Sequence, residues 1–273
     1  MHSNDQSSFI ANIESGIADI GAAVVDLWRS ARDMYSVFVQ TLYYTVRGKR
    51  ERGAVVKQMH EIGNKSVFFV TVVMGFIGLI GIYQTGIQAK RLLPDFSLMG
   101  ATYLQLLVRE LGPSIGAMII ATRVGAGIAA EIGSMVVTEQ VDALRMCAAD
   151  PIDFLIKPRF IASLVMTTAL IIWICTVMFC AGAVTAWSFF EIPFRTFFDL
   201  SMVKVGDVVI CLAKCVAYGA AIPVVSGYCG LSTFGGSEGV GWATTRAVVN
   251  SSLAVVMLDL IISIAGFVIF FSQ

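Results

Sequence analysis

Residues 104–149 read LQLLVRELGPSIGAMIIATRVGAGIAAEIGSMVVTEQVDALRMCAA, and two different kinds of segment meet within them. The first half is an apolar run that nevertheless carries Arg109 and Glu110, followed at once by Gly112 and Pro113. A charged pair at bilayer depth is expensive, so residues of this kind mark places where a membrane protein handles something polar. The second half leaves the apolar run past Gly125 and Gly127 and becomes amphipathic: Ile132, Met135, Val136 and Leu144 form an apolar side, and Glu131, Thr138, Glu139, Asp142 and Arg145 a wet one. The expectation from this contrast is that the first half touches something polar that is transported and the second half receives the push that moves it.

Composition sets the surroundings. Of 273 residues, 57% are hydrophobic and 14% charged, and a mean hydropathy of +0.80 is beyond what a soluble domain carries. The chain reads as a membrane protein. Lys plus Arg equals Asp plus Glu, at 19 each, and no basic run with interleaved aromatics suggests nucleic acid as a partner. Five of the six cysteines fall in apolar stretches and read as small hydrophobes. Cys211 and Cys215 share a helix face, but no His or second Cys pair completes a metal site, so none is expected. The start, MHSNDQSSFIANIES, lacks the basic residues and short apolar core of a secretory signal, and no cleavage is expected.

Before and after the central stretch the chain divides into an interfacial part and spans. From Phe9 to about Tyr44, apolar residues recur at threes and fours while acidic and basic residues fill the other side. Such a helix lies in the membrane interface, with Arg47, Lys49, Arg50 and Arg52 among headgroups; packing on another subunit is the alternative. Spans are expected at Ser66–Ala89, Ser97 to about Gly127, Phe160 to about Phe190, Val205–Leu231 and Leu253–Phe271. Gly75, Gly78 and Gly81 clear a strip on the first for close helix contact. Pro113 frees the Arg109 carbonyl and should bend or loosen the second. Asp150-Pro151 ends the amphipathic helix between the second and third. Lys214 and Asp259, each at bilayer depth, pair with one another or, for Lys214, with Glu110.

Five spans place the chain ends on opposite sides. With the N-terminus inside, the inner segments hold Arg29, Arg32, Arg47, Lys49, Arg50, Arg52, Lys57, Lys65, Arg123, Arg145, Lys157, Arg159 and Arg246, against Lys90, Arg91, Arg195 and Lys204 outside. The N-terminus and residues 131–159 are therefore cytoplasmic.

The chemistry of an enzyme is missing. GGSEGVG lacks the lysine of a phosphate-binding loop, so the chain cannot hydrolyse ATP alone. There is no HExxH, and His2 and His60 fall outside the expected spans. No catalytic residue is assigned.

LVRELGPSIGAMIIATRVGAGIAAEIGSMVVTEQVDAL, CAADPIDFLIKPRF, CLAKCV and ATTRAVVNSSLAVVMLDL together resemble the permease subunit of MCE-associated lipid ABC transporters, the MlaE/YrbE-like family. The resemblance covers roughly residues 60–272, and AEIGxMxxTEQ is its most specific part. It implies an all-α membrane protein: an N-terminal interfacial amphipathic helix with a basic linker over 1–60, then a transmembrane permease domain over 61–273. That domain has five spans and a cytosolic coupling helix, about 131–149, between the second and third. It further implies a homodimer in the inner membrane, a cytosolic ABC ATPase that binds ATP and Mg, a periplasmic MCE-domain protein, room for a small cytosolic regulator, and phospholipid or a related lipid as cargo. Carried onto this chain, Glu131, Gly133, Thr138, Glu139, Gln140 and Asp142 become the ATPase-coupling residues. Arg109, Glu110, Leu111 and Gly112 become the substrate-binding ones. Gly125 and Gly127 let the chain turn from span to coupling helix. The loop over 234–243 is richer in glycine than the family leads one to expect. Two other readings compete: a stand-alone ion- or proton-coupled transporter with Glu110, Lys214 and Asp259 as relay, which lacks the inverted repeat of such carriers, and an assembly scaffold whose buried charges are structural.

Overall fold

The computed structural model describes residues 25, 28–48, 52–92 and 99–270. Among them there is no strand, and five helical stretches are long and apolar enough to cross a bilayer: Gly53–Gln88, Met99–Val137, Ile152–Phe190, Val205–Leu231 and Gly236–Phe270. The protein is a multi-pass, all-α membrane protein.

The first described helix, α1, covers 28–47; the start of the expected amphipathic stretch, with Lys49 and Arg50, lies outside the described residues. One side of α1 meets the protein, where Thr41 is fully buried and the Phe38 ring lies 6.4 Å from that of Phe160. On the other side Trp28, Tyr35, Val46 and their neighbours are exposed. Apolar on both sides, α1 suits a seat between protein and lipid. Its end is latched by Tyr44, whose hydroxyl donates to Asp150 Oδ2 at 2.7 Å. That hydrogen bond to a carboxylate raises the Tyr44 phenol above its ordinary pKa.

The first membrane-crossing helix starts before Ser66. Arg52–Met59 (α2) runs through a π-turn, His60–Asn64, into Lys65–Leu92 (α3). The expected division at residue 60 therefore falls inside a continuous helix, and His60 sits on it, exposed, its Nδ1 3.2 Å from Asn64 Nδ2. Of the three expected packing glycines, Gly78 makes the close contact: a Cβ there would lie 2.7 Å from the Met178 carbonyl oxygen, whereas Gly75 and Gly81 have ordinary room.

The second crossing is built from Met99–Leu106 (α4), Gly112–Ile120 (α5) and Ala126–Val137 (α6), joined by π-turns at Leu107–Leu111 and Ala121–Gly125. The sharp turn expected at Gly125 and Gly127 does not occur. Gly125 is helical, with φ −61° and ψ −46°, and its missing Cβ admits the Ser226 hydroxyl, 2.9 Å from where that carbon would be. The chain turns instead at Thr138–Glu139, where Glu139 takes a left-handed φ of 61°. The expected coupling helix of 131–149 is consequently two pieces. Glu131–Val137 ends the crossing, and a separate helix α7, Gln140–Met146, follows the turn. Gly125 serves close helix packing, not a change of direction, and Gly127 has open space around it.

Lys157–Phe190 (α8), Phe194–Phe197 (α9), Val205–Leu231 (α10) and Gly236–Phe270 (α11) complete the chain. The α8–α10 connection carries an aromatic patch, with Trp187 stacked on Phe194 at 5.8 Å but Phe197 driven into the core against Phe179. The expected glycine-rich loop is mostly helix, since α11 begins at Gly236 rather than near Leu253. Gly235 and Gly236 take φ of 86° and 75°, and a Cβ on Gly239 would overlap the Phe234 backbone. These glycines make a tight helix start possible, and Ala243, Ala247 and Ser251 then pack inward. In the bundle α3 lies on α8, α8 on α10, and α10 on α11, with the second crossing wedged between α8, α10 and α11.

Candidate functional site

Pro113 organises the buried site. It has no N–H to give the Arg109 carbonyl four residues back, and the helix widens there into the π-turn Leu107–Leu111, with the Gly112 N–H bonding the Leu107 carbonyl instead. The freed Arg109 carbonyl accepts a hydrogen bond from Lys214 Nζ at 3.1 Å. Lys214 is fully buried on α10, where an ammonium group needs every donor satisfied. Its Nζ lies 2.6 Å from Glu110 Oε2 and 2.8 Å from Asp259 Oδ1. One lysine thus ties three crossings together. Asp259 Oδ1 also accepts from Tyr218 at 2.6 Å and Ser114 at 2.8 Å, and Ser263 donates to Glu110 at 3.2 Å.

Arg109 extends the cluster outward. Its guanidinium is 3.8 Å from Glu110 Oε1 and 3.9 Å from Asp207 Oδ1, ion-pair distances too long for hydrogen bonds. Asp207 is wholly buried; its Oδ2 caps the start of α10 by accepting from the Lys204 N–H at 3.0 Å. The Arg109 and Glu110 side chains remain 25% and 33% exposed within an apolar crossing, so the cluster reaches the surface of the bundle. Leu111 packs on the core, and Gly112 turns toward α8, where a Cβ would collide with Cys175. The cluster therefore includes Arg109, Glu110, Lys214 and Asp259, and excludes Leu111 and Gly112.

Asp207, Tyr218, Ser114 and Ser263 were not singled out by reading the sequence. For Asp207 a signal was present: it lies seven residues before Lys214, two helical turns along the same face.

At the other end of the second crossing the polar residues have separate positions. Gly133 is buried, with Thr233 Oγ1 2.9 Å from where its Cβ would be. Glu131 Oε2 pairs with the buried Arg159 at 2.8 Å and ties the crossing to the start of α8. Thr138, Glu139, Gln140 and Asp142 are exposed together on the turn and the first half of α7. Val141 holds α7 down, with Leu144 packed beside it.

The family model described as "Permease MlaE" matches residues 55–265. The chain belongs to the MlaE permease family. A probable ABC transporter permease of Synechocystis is 37% identical over 232 residues, 82% of this chain and 86% of the relative. The intermembrane phospholipid transport system permease protein MlaE of Haemophilus influenzae is 30% identical over 253 residues, 90% and 95%. The chloroplastic protein TRIGALACTOSYLDIACYLGLYCEROL 1 of Arabidopsis thaliana is 33% identical over 226 residues, 82% of this chain and 64% of the plant protein. Family membership covers all five crossings, both the buried cluster and the exposed turn.

Proposed function

We propose that this permease moves phospholipid or a related lipid as one half of a homodimer, driven by a cytosolic ABC ATPase docked on the Thr138–Glu139 turn and α7. In this reading the basic end of the bundle, with the N-terminus, is cytoplasmic in an inner membrane, and an MCE-domain protein receives or delivers lipid at the opposite end. The observation that carries it is the exposed group Glu139, Gln140 and Asp142, held out beyond the last turn of a membrane crossing on a seven-residue helix. Movement there passes across the turn to Val137 and then along the helical run that leads back to the π-turn at Glu110, and so to the charge cluster. The cluster's partly exposed face suits a headgroup, and similarity to the Haemophilus intermembrane phospholipid transport permease supports a lipid as cargo.

Glu139→Lys and Asp142→Lys, each in the assembled transporter, test the reading by ATPase co-purification and by ATP-driven lipid transfer between vesicles. Both residues are exposed, so folding stability should stay within about 0.5 kcal/mol. A reversed charge at a desolvated contact costs a few kcal/mol, and co-purification and transfer should both fall. Unchanged ATPase binding and transfer in both variants would refute the docking site. Transfer driven by an ion gradient without nucleotide would favour the stand-alone carrier instead.

A further inference from the structure

A cavity lies just below the charge cluster, between α1, α10 and α11. It encloses about 350 Å³, within the range of small-molecule sites. Phe38 and Met34 form one wall, and Ala217, Ala221 and Val225 on α10 with Leu258 on α11 form the other. The hydroxyl of Tyr35 at its edge is the one polar side-chain group among its lining residues.

Position along α10 identifies what fills it. From Ala217 to Val225 is eight residues, about 12 Å of helix, close to the hydrocarbon depth of one leaflet, which is roughly half of a 30 Å core. The cavity begins one helical turn below Lys214, and Leu258 directly precedes Asp259, so its deep end stops beneath the cluster. Its wall on the other side is α1, which leaves Trp28 and Val46 exposed, and in the orientation proposed above the medium there is lipid. Ala217, Ala220 and Ala221 hold α10 back from α1 with methyl groups alone, where Leu or Phe would close the gap.

We infer that this groove is a berth for one acyl chain of a diacyl lipid in the leaflet at the α7 end of the bundle, through which lipid approaches the charge cluster. The inference rests on the lipid-permease reading and orientation proposed above. In it α1 is one wall of an entrance, and the cluster at the deep end meets the lipid after the chain has been seated.

The test uses the full chain with its co-purified ATPase, reconstituted in nanodiscs of phosphatidylethanolamine and phosphatidylglycerol. The probe is a phosphatidylcholine carrying a diazirine at the end of one acyl chain. After photolysis, peptide mapping should place label on residues 217–225 and on Leu258. Ala221→Phe should lower it about tenfold, the factor that displacement of a few buried methylenes brings. Label on the lipid-exposed Phe68 and Phe76 of α3 should be unchanged. Ala221→Ser, which keeps the volume, should label as the parent does, and unchanged melting of both variants guards against misfolding. Equal groove labelling in Ala221→Phe would overturn the inference. So would a disulfide joining Ala221→Cys in two copies, which would make the groove a protein contact. Loss of the ATPase from the same preparation would count against the proposed function and not against the groove.

Discussion

Lys214 and Asp142 are both charged residues on helices, yet their surroundings have little in common. Lys214 has no exposed surface and binds two carboxylates and a carbonyl, drawn from two other membrane crossings. Asp142 is 66% exposed and has for its ion-pair partner Arg145, three residues along the same short helix. Buried ions recover their desolvation cost only when all are matched, so removing one member is far more damaging than the group is stabilising. Exposed pairs gain little and lose little. The first arrangement fixes a fold element in place; the second leaves its charge for a partner. The proposed function, with force taken at one end and a polar headgroup handled at the other, draws on both.

The largest effect should come from Lys214→Met. It strands Glu110 and Asp259 facing each other and should cost about 3 kcal/mol, the low end of the 3–5 kcal/mol for a broken buried pair, since the two acids keep side-chain exposures of 33% and 24%. Thermal unfolding in nanodiscs measures it. Adding Glu110→Gln and Asp259→Asn should restore most of the loss, because the stranded charges are then gone. If Lys214→Met alone melts with the parent, the cluster is hydrated and the contrast with Asp142 disappears.

An intermediate effect is expected from Arg159, which lies between the two regimes. Its side chain is 4% exposed, donates to the Leu155 carbonyl at 2.5 Å, and reaches the half-exposed Glu131. Arg159→Met should cost about 1.5–3 kcal/mol, as for hydrogen bonds to charged groups. Glu131→Gln should cost under about 1 kcal/mol, because water replaces the partner. Equal losses in the two would show that Glu131 is as enclosed as Arg159.

Span number and the Lys214 partnerships could be read in the sequence because each follows from a strong, local cost: apolar length, and charge in hydrocarbon. Helix ends could not. Gly125 and Gly127 carry the same letters whether they turn a chain or admit a neighbouring helix, and only the approach of Ser226 to Gly125 distinguishes the two. The same ambiguity hid the first seventeen residues of α11, whose glycines pack a tight start next to Phe234. Glu131 shows a third limit. Its place on the wet side of an amphipathic pattern was legible, whereas its bond to Arg159, twenty-eight residues on, depends on how two helices meet.

The smallest expected effect is the sharpest test of the exposed region. The Asp142–Arg145 pair spans 3.1 Å at i, i+3, a geometry worth about 0.2–0.5 kcal/mol and weakened by salt. Asp142→Ala should therefore shift the melting midpoint barely at low ionic strength and not at all at high. A seven-residue helix does not hold itself in water, so α7 keeps its shape because Val141 and Leu144 are packed beneath it. If that is right, charge on α7 can change without changing the fold, and any loss of ATPase binding in Asp142→Ala reports the docking contact alone. A large, salt-sensitive drop in stability would mean instead that these charges hold α7 in place, and the turn would then be part of the scaffold.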